Sequence, residues 1–509
     1  MKLETKITSI ATIKPSSPTP KSLQKHYLSF LDQIFAPVLM PIVYFYSSNP
    51  QISKSQFSNH LKQSLSKTLS IYYPLAGRLV GNLYVDCNDA GVPFAEAEAN
   101  CSLSQAVTNP HPQNTYKFAN PQKILGLCMA VQATYFRCGG VAVAISMSHK
   151  VGDALSAFML AKAWSSPAAT PIPRFEAATY FPPRDIPVDR AAATDLTKEE
   201  HVERIFTFPE SEISALRERY STGGGRRPSR SEALTAFIWT RFISATDVRF
   251  DPNKTYALLH LVNLRSRVDP AMSEYSFGNI LGQARATPGA GDDGAEVVRK
   301  MREAVKAVDG VGRNFMEENA DLIDNENVVC LGFSSLVGFP AHEVDFGLGK
   351  PVWIGLGWFP FMNTVYLSDA KCGGIEALII LSKSDMDKFQ ASFFMKKTSS
   401  LCDMDAEDDM LPRLEAGGMA DMLPRLRTVE DLLAGKRGGG SPAAQPRTMD
   451  RRCPSVRWPR TSSASSPFPT AKPLTLLHPL RALASAPPAA DRCGGYASRR
   501  QRHCWSSSE

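Results

Sequence analysis

The stretch ISMSHKVGDA, residues 145–154, closes an apolar run that begins as VAVAI at Val141–Ile145. A short run without polar alternation reads as a strand covered on both faces, the kind found in α/β folds. It ends in His149, Lys150 and Asp153, three side chains that are costly to bury without partners. Immediately downstream, Leu155, Phe158, Met159 and Ala163 recur at helical spacing, so a helix is predicted over Ala154–Trp164. Gly152 permits a tight turn and Asp153 suits the N-cap of that helix. His149 is thereby placed where a strand gives way to a helix, the junction at which α/β folds keep their ligands.

The same alternation runs along most of the chain. Strands are predicted at Pro37–Tyr46, Leu125–Phe136, Gly140–Ser146, Tyr256–Val262, Val352–Trp358 and Gly374–Leu381. Helical periodicity covers Ser53–Leu69, through Phe57, Leu61, Leu65 and Leu69, and also Ser231–Ile243, Ala295–Val308 and Ser384–Met395. The fold class is therefore α/β with mixed sheets, and 509 residues exceed one comfortable core. Two domains are expected, 1–185 and 206–397, joined by a Pro-containing crossover linker at 186–205. Residues 398–509 turn rich in Pro, Ser, Ala and Arg, and read as a low-complexity, disordered tail. Two DMLPRL copies, at Asp409 and Asp421, are too few to make a repeat architecture.

The totals exclude several classes. The net charge of +7 is a property of the tail: from Ser441 onward eleven Lys/Arg face three Asp/Glu, leaving 46 basic and 47 acidic residues before it. No basic surface for nucleic acid is implied. No apolar stretch approaches the roughly 20 residues of a membrane helix, and the N-terminus has no apolar leader core, so a cytoplasmic protein is expected. Ten cysteines lack metal spacing and read as reduced thiols. His26, His60, His201 and His342 likewise show no metal pattern and are expected on the surface.

His149 is suited to proton transfer near neutrality. An H-x-x-x-D pattern alone recurs by chance, but it has company: KPSSPTPKSLQKHYLSFLDQ from Lys14, YYPLAGRL from Tyr72, SRSEALTAFIW from Ser229, VNLRSRVDP from Val262, SFGNILG from Ser276 and VDFGLGKPVW from Val344. In this order and spacing, over about residues 5–397, these segments resemble the plant BAHD acyl-CoA-dependent acyltransferases, nearest to the alkaloid-acylating, vinorine-synthase-like branch.

The resemblance implies two domains similar to chloramphenicol acetyltransferase, with a channel between them that admits acyl-CoA from one face and an acceptor from the other. It implies His149 as general base. Asp153 is carried with it as a catalytic-motif residue, and two roles stay open: orienting the imidazole, or pairing with Arg265 or Arg267. The coenzyme A contacts would come from Ser229, Arg230 and Ser231 before a helix and from Asn263 and Arg265 at a strand end. Asp345, Gly347 and Gly349 would build a structural loop. No metal and no permanently bound cofactor is expected; acyl-CoA, acetyl-CoA in first place, is the co-substrate of a monomeric enzyme.

Two positions depart from the pattern. Leu348 stands where tryptophan is common, which predicts weaker packing rather than lost chemistry. Gly338, in LVGFP, stands where acid-acylating members carry an arginine, so a neutral or amine acceptor is expected. The leading function is O-acylation of a plant specialised metabolite. N-acylation of an amine, or a non-catalytic ligand-binding relative, are the alternatives.

Overall fold

Apolar runs and capped amphipathic helices alternate in the order β1 Thr5–Ile13, β2 Lys25–Tyr27, α1 Phe30–Ile34, β3 Leu39–Tyr46, α2 Lys54–Ile71, β4 Arg78–Val80, β5 Tyr84–Asp86, β6 Val92–Ala99, β7 Met129–Tyr135, β8 Val141–Ser148 and α3 Ala154–Ser165. The second half continues with β9 His201–Phe208, α4 Glu210–Arg219, α5 Arg230–Ala245, β10 Thr255–Asn263, β11 Leu281–Ala286, α6 Gly294–Ala307, β12 Val328–Ser335, β13 Trp353–Leu356, β14 Thr364–Asp369, β15 Ile375–Ser382 and α7 Lys383–Ser399. This computed structural model describes residues 2–399 except 109, 120–125, 168–169, 187–200, 223–224, 246–253, 290, 309–326, 358–360 and 371–372. The expected tail, from residue 400 on, lies outside the described residues.

Two six-stranded mixed sheets organise the chain, in the orders β1-β6-β7-β8-β3-β13 and β11-β10-β12-β14-β15-β9. The mixed α/β class expected above is the one found. Strand β8 is buried along its whole length. Val141, Val143, Ile145 and Met147 enter the larger core beside α2 and α3, whereas Ala142 and Ala144 face a second cluster around Phe45 and Phe118. Both faces being covered explains why this strand shows no polar alternation. Helix α2 begins with a capping box, Ser53 and Gln56, and turns Phe57, Leu61, Leu65 and Leu69 inward.

Two sequence boundaries are corrected. Residues 201–205, expected as linker, already belong to β9, which pairs antiparallel with β15 from His201↔Ser382 to Phe208↔Ile375. The polar residues of HVERIFTF hid the strand, because only Glu203, Phe206 and Phe208 of it are buried. Nor is 206–397 self-contained: β13 returns to the first sheet and pairs with β3, Trp353 opposite Phe45. An apolar strand segment specifies its faces, not its partner, and the open edge of β3 takes it. His26, expected at the surface, is 9% exposed and lies edge-on to Phe175 at 5.4 Å.

Candidate active site

Pairing of β3 with β8 ends at Leu39↔Ser148, and the His149 N–H then donates to the Val38 carbonyl at 2.9 Å. The imidazole therefore projects just past the end of the sheet. It lies flat on Phe35, with ring centroids 4.2 Å apart and planes 7° from parallel. His149 is half-buried, and burial lowers its pKa from the ordinary value, opposed by its own backbone, by Asp153, by Asn279 and by Asp32.

The Nδ1 of His149 is 3.0 Å from the Asn279 Oδ1. The direction of this hydrogen bond follows from the other end of the amide. Asn279 Nδ2 donates to the His149 backbone carbonyl at 2.6 Å and to Asp32 Oδ1 at 2.9 Å. A backbone carbonyl only accepts, so the NH2 is pinned there and Oδ1 must be the acceptor toward the ring. The proton is held on Nδ1, which leaves the lone pair on Nε2. Asp32 is itself fixed: it accepts from the Asn279 N–H at 2.8 Å and from the Ser29 N–H and hydroxyl, closing the capping box of α1.

Asp153 does other work. It caps α3, accepting from the Ser156 N–H at 2.8 Å, and pairs with Arg265 at 2.8 Å, both side chains being almost fully buried. Burial pushes its carboxyl up, but the Arg265 guanidinium and the hydrogen bonds outweigh this and hold it below the ordinary carboxylate value. Its oxygens also accept from Ile280 N–H, and none of these bonds reaches the imidazole. Between the two roles left open, the geometry has the carboxylate in an ion pair.

Arg265 consequently cannot serve as an exposed coenzyme A contact. Its remaining N–H groups donate to Ser276 O, Gly278 O, Ser156 Oγ and Asn263 Oδ1. Arg267 instead donates to the carbonyls of Val305 and Val308. Gly278 sits where Asp153, Ser156 and Arg265 converge; its φ of 138° and a would-be Cβ 3.0 Å from the Ala177 Cβ exclude a side chain there.

The other expected contacts gather at one edge of the second sheet. Strands β10, β12 and β14 run parallel and end together, at Asn263, Ser335 and Asp369. The N-terminus of α5 opens over two of these ends: Ser231 shares a hydrogen bond with Ser335 at 2.9 Å, and Arg230 pairs with Asp369 at 2.8 Å. Ser229 forms a capping box with Glu232. A helix N-terminus over the carboxyl ends of parallel strands is the arrangement that suits an anionic ligand.

Asp345 accepts from Gly347 and Gly349 N–H at 2.7 and 2.8 Å, while Phe346 packs on Trp164 and Tyr46. This loop braces α3 and β3 and makes none of the contacts around His149. Leu348 lines a separate surface cavity of about 770 Å³ with Ile52, Phe57 and Cys138. At Gly338 the backbone has φ 87° and donates to Asp369, a conformation that disfavours any side chain, an arginine included. Among the described residues no His/Cys/Asp/Glu group could hold a metal ion, and no helix is long and apolar enough to cross a membrane.

Residues 1–395 match the family described as "Transferase family". Vinorine synthase of Rauvolfia serpentina is 33% identical over 396 residues, covering 74% of this chain and 93% of that protein. Its crystal structure superposes with a TM-score of 0.68 at 30% identity, covering 76% of this chain and 96% of the other. The chain belongs to the BAHD acyltransferases. Among other members, stemmadenine O-acetyltransferase of Catharanthus roseus is 32% identical over 403 residues, covering 75% of this chain and 95% of that protein. An N-malonyltransferase of Strychnos nux-vomica, named for 17,18-epoxy-17-hydroxycur-19-ene, is 32% identical over 417 residues, covering 75% and 88%. The BAHD chain described here is thus an acyl-transferring enzyme. Asn279, Asp32 and Phe35 escaped the sequence reading. Asp32 had a readable signal, the S-x-x-D box Ser29–Asp32; the other two are defined only by long-range contact.

Proposed function

We propose that this enzyme moves an acyl group, acetyl in first place, from a coenzyme A thioester to a hydroxyl of a plant specialised metabolite, with His149 as general base. The observation that carries the reading is the tautomer: Asn279 holds the Nδ1 proton and leaves Nε2 as the accepting nitrogen. As the acceptor oxygen bonds to the thioester carbonyl carbon, Nε2 takes the hydroxyl proton. The tetrahedral oxyanion collapses, the C–S bond breaks, and the imidazolium returns the proton to the coenzyme A thiolate. Ester and free coenzyme A leave, and the histidine is neutral again. The serines at the N-terminus of α5 and Asn263 are the proposed coenzyme A contacts, with Arg230 held by Asp369 beside them.

An amine acceptor is the second reading, favoured by the N-malonylating relative. The same nitrogen would then take an ammonium proton. Absence of a guanidinium at Gly338 supports acceptors without a carboxylate. The proposed working form is a cytoplasmic monomer, to be checked by gel filtration.

The test is release of free coenzyme A from acetyl-CoA with a panel of alcohols and amines. His149→Ala should lower kcat by roughly 10²–10⁴-fold with the fold intact. Full turnover by that variant would remove His149 as base, and no turnover by the wild type with any pair would favour a binding protein.

A further inference from the structure

Lys150 follows the candidate base directly and is 3% exposed. Its ammonium donates to two neutral oxygens, the Gln33 carbonyl at 2.6 Å and Asn82 Oδ1 at 2.5 Å. A buried cation satisfied only by neutral acceptors is costly, so its retention asks what it holds.

Both acceptors belong to one knot. Gln33 Nε2 donates to the carbonyls of Asn82 and Arg184, its Oε1 accepts from the Arg184 N–H, and Asn82 Nδ2 donates back to the Gln33 carbonyl. Gln33 lies in α1, a helix of five residues that has little stability of its own. That helix contributes Asp32, which holds Asn279, and is followed at once by Phe35, which lies on the imidazole.

We infer that Lys150 is a positioning residue for His149: by tying Gln33 to Asn82 it keeps α1 in place, with Phe35 against the ring and Asp32 behind Asn279. This rests on the reading of His149 as base. The charged groups around the pair are Asp32 on α1, Asp153 on the far side with Arg265 paired to it, and Arg184, whose guanidinium lies 3.7 Å from the centre of the Phe30 ring. Burial lowers the Lys150 pKa to about 8, against the pull of Asp32. Above that pH the amine is neutral and its grip on the two oxygens weakens.

The test compares wild type, His149→Ala, Lys150→Met and Asn82→Asp with acetyl-CoA and an accepted alcohol, recording kcat, KM, pH profiles and melting temperature. Lys150→Met should lower kcat by about 10–100-fold, the cost of a misplaced reacting group, with KM for acetyl-CoA within about twofold. It should also move the acid limb of kcat/KM upward, since loosening α1 lets more water reach the imidazole and relieves the burial that lowers its pKa. Asn82→Asp places a carboxylate against the ammonium and should move the alkaline limb of the wild type to higher pH. A folded Lys150→Met enzyme with wild-type kcat and acid limb would overturn the inference. If that variant does not fold, an alkaline limb unmoved by Asn82→Asp overturns it. Turnover surviving in His149→Ala would instead remove the base reading itself, whatever Lys150 does.

Discussion

Asn279 gives His149 its tautomer, so the residue to substitute is the amide rather than the motif aspartate. Asn279→Ala frees the Nδ1 proton and lets the ring turn, and kcat should fall by about 10–100-fold. Asn279→Asp is sharper. A carboxylate beside the imidazole favours its charged form, so the acid limb of kcat/KM should move to higher pH. In the wild type that limb should lie below the ordinary imidazole value, because burial lowers the His149 pKa and keeps Nε2 unprotonated into mildly acidic solution. A pH–rate series on the three proteins checks both signs. Of this site, His149 and its place after a strand were legible from VAVAISMSH, because burial on both faces leaves a local imprint. Asn279 was visible only as part of SFGNILG, since a carboxamide 130 positions away becomes a partner only in three dimensions.

At the scale of elements, the Asp153–Arg265 pair fastens the start of α3 to the end of β10, and the turn through Gly278 is wrapped around it. Asp153→Asn leaves a buried guanidinium uncompensated and should cost ~3–5 kcal/mol, measured by denaturant unfolding. The double variant Asp153→Asn/Arg265→Met should be less damaged than the sum of the two singles, because neither charge is then stranded. The sign with pH follows from the depressed Asp153 pKa: its contribution is complete above the ordinary carboxylate value and is lost as pH falls below it. Sequence patterns placed α3 and β10 to within a residue or two, because capping and periodicity are local. The pairing with Arg265 or Arg267 came only from the family resemblance and went no further, since two arginines two positions apart differ only in which one the loop turns inward.

For the molecule as a whole, the buried His26 couples stability to acid. His26 lies edge-on to Phe175, which in turn packs against the Tyr72 and Phe277 rings, and burial lowers its pKa to about 4. The unfolded chain binds its proton near pH 6.5 and the folded one does not, so stability should decline as pH drops from 6.5 toward 4, by up to ~3 kcal/mol from this residue. His26→Phe should flatten that decline in thermal melts taken across the range. The sequence offered no warning, because KHY is a three-residue strand whose own neighbours give no burial pattern and whose cover, Phe175, arrives from 149 positions later.

By itself the sequence determined the alternating elements, the mixed α/β class and the chemistry available at His149, because hydrophobic period, capping and residue type are encoded within a few neighbours. The tertiary structure decided which strands share a sheet, that β13 closes the edge of β3, that Arg265 is buried against Asp153, and that Asn279, Asp32 and Phe35 surround the imidazole. Those outcomes are set by packing between segments far apart in the chain, where many partners satisfy the local pattern and only contact in three dimensions selects among them.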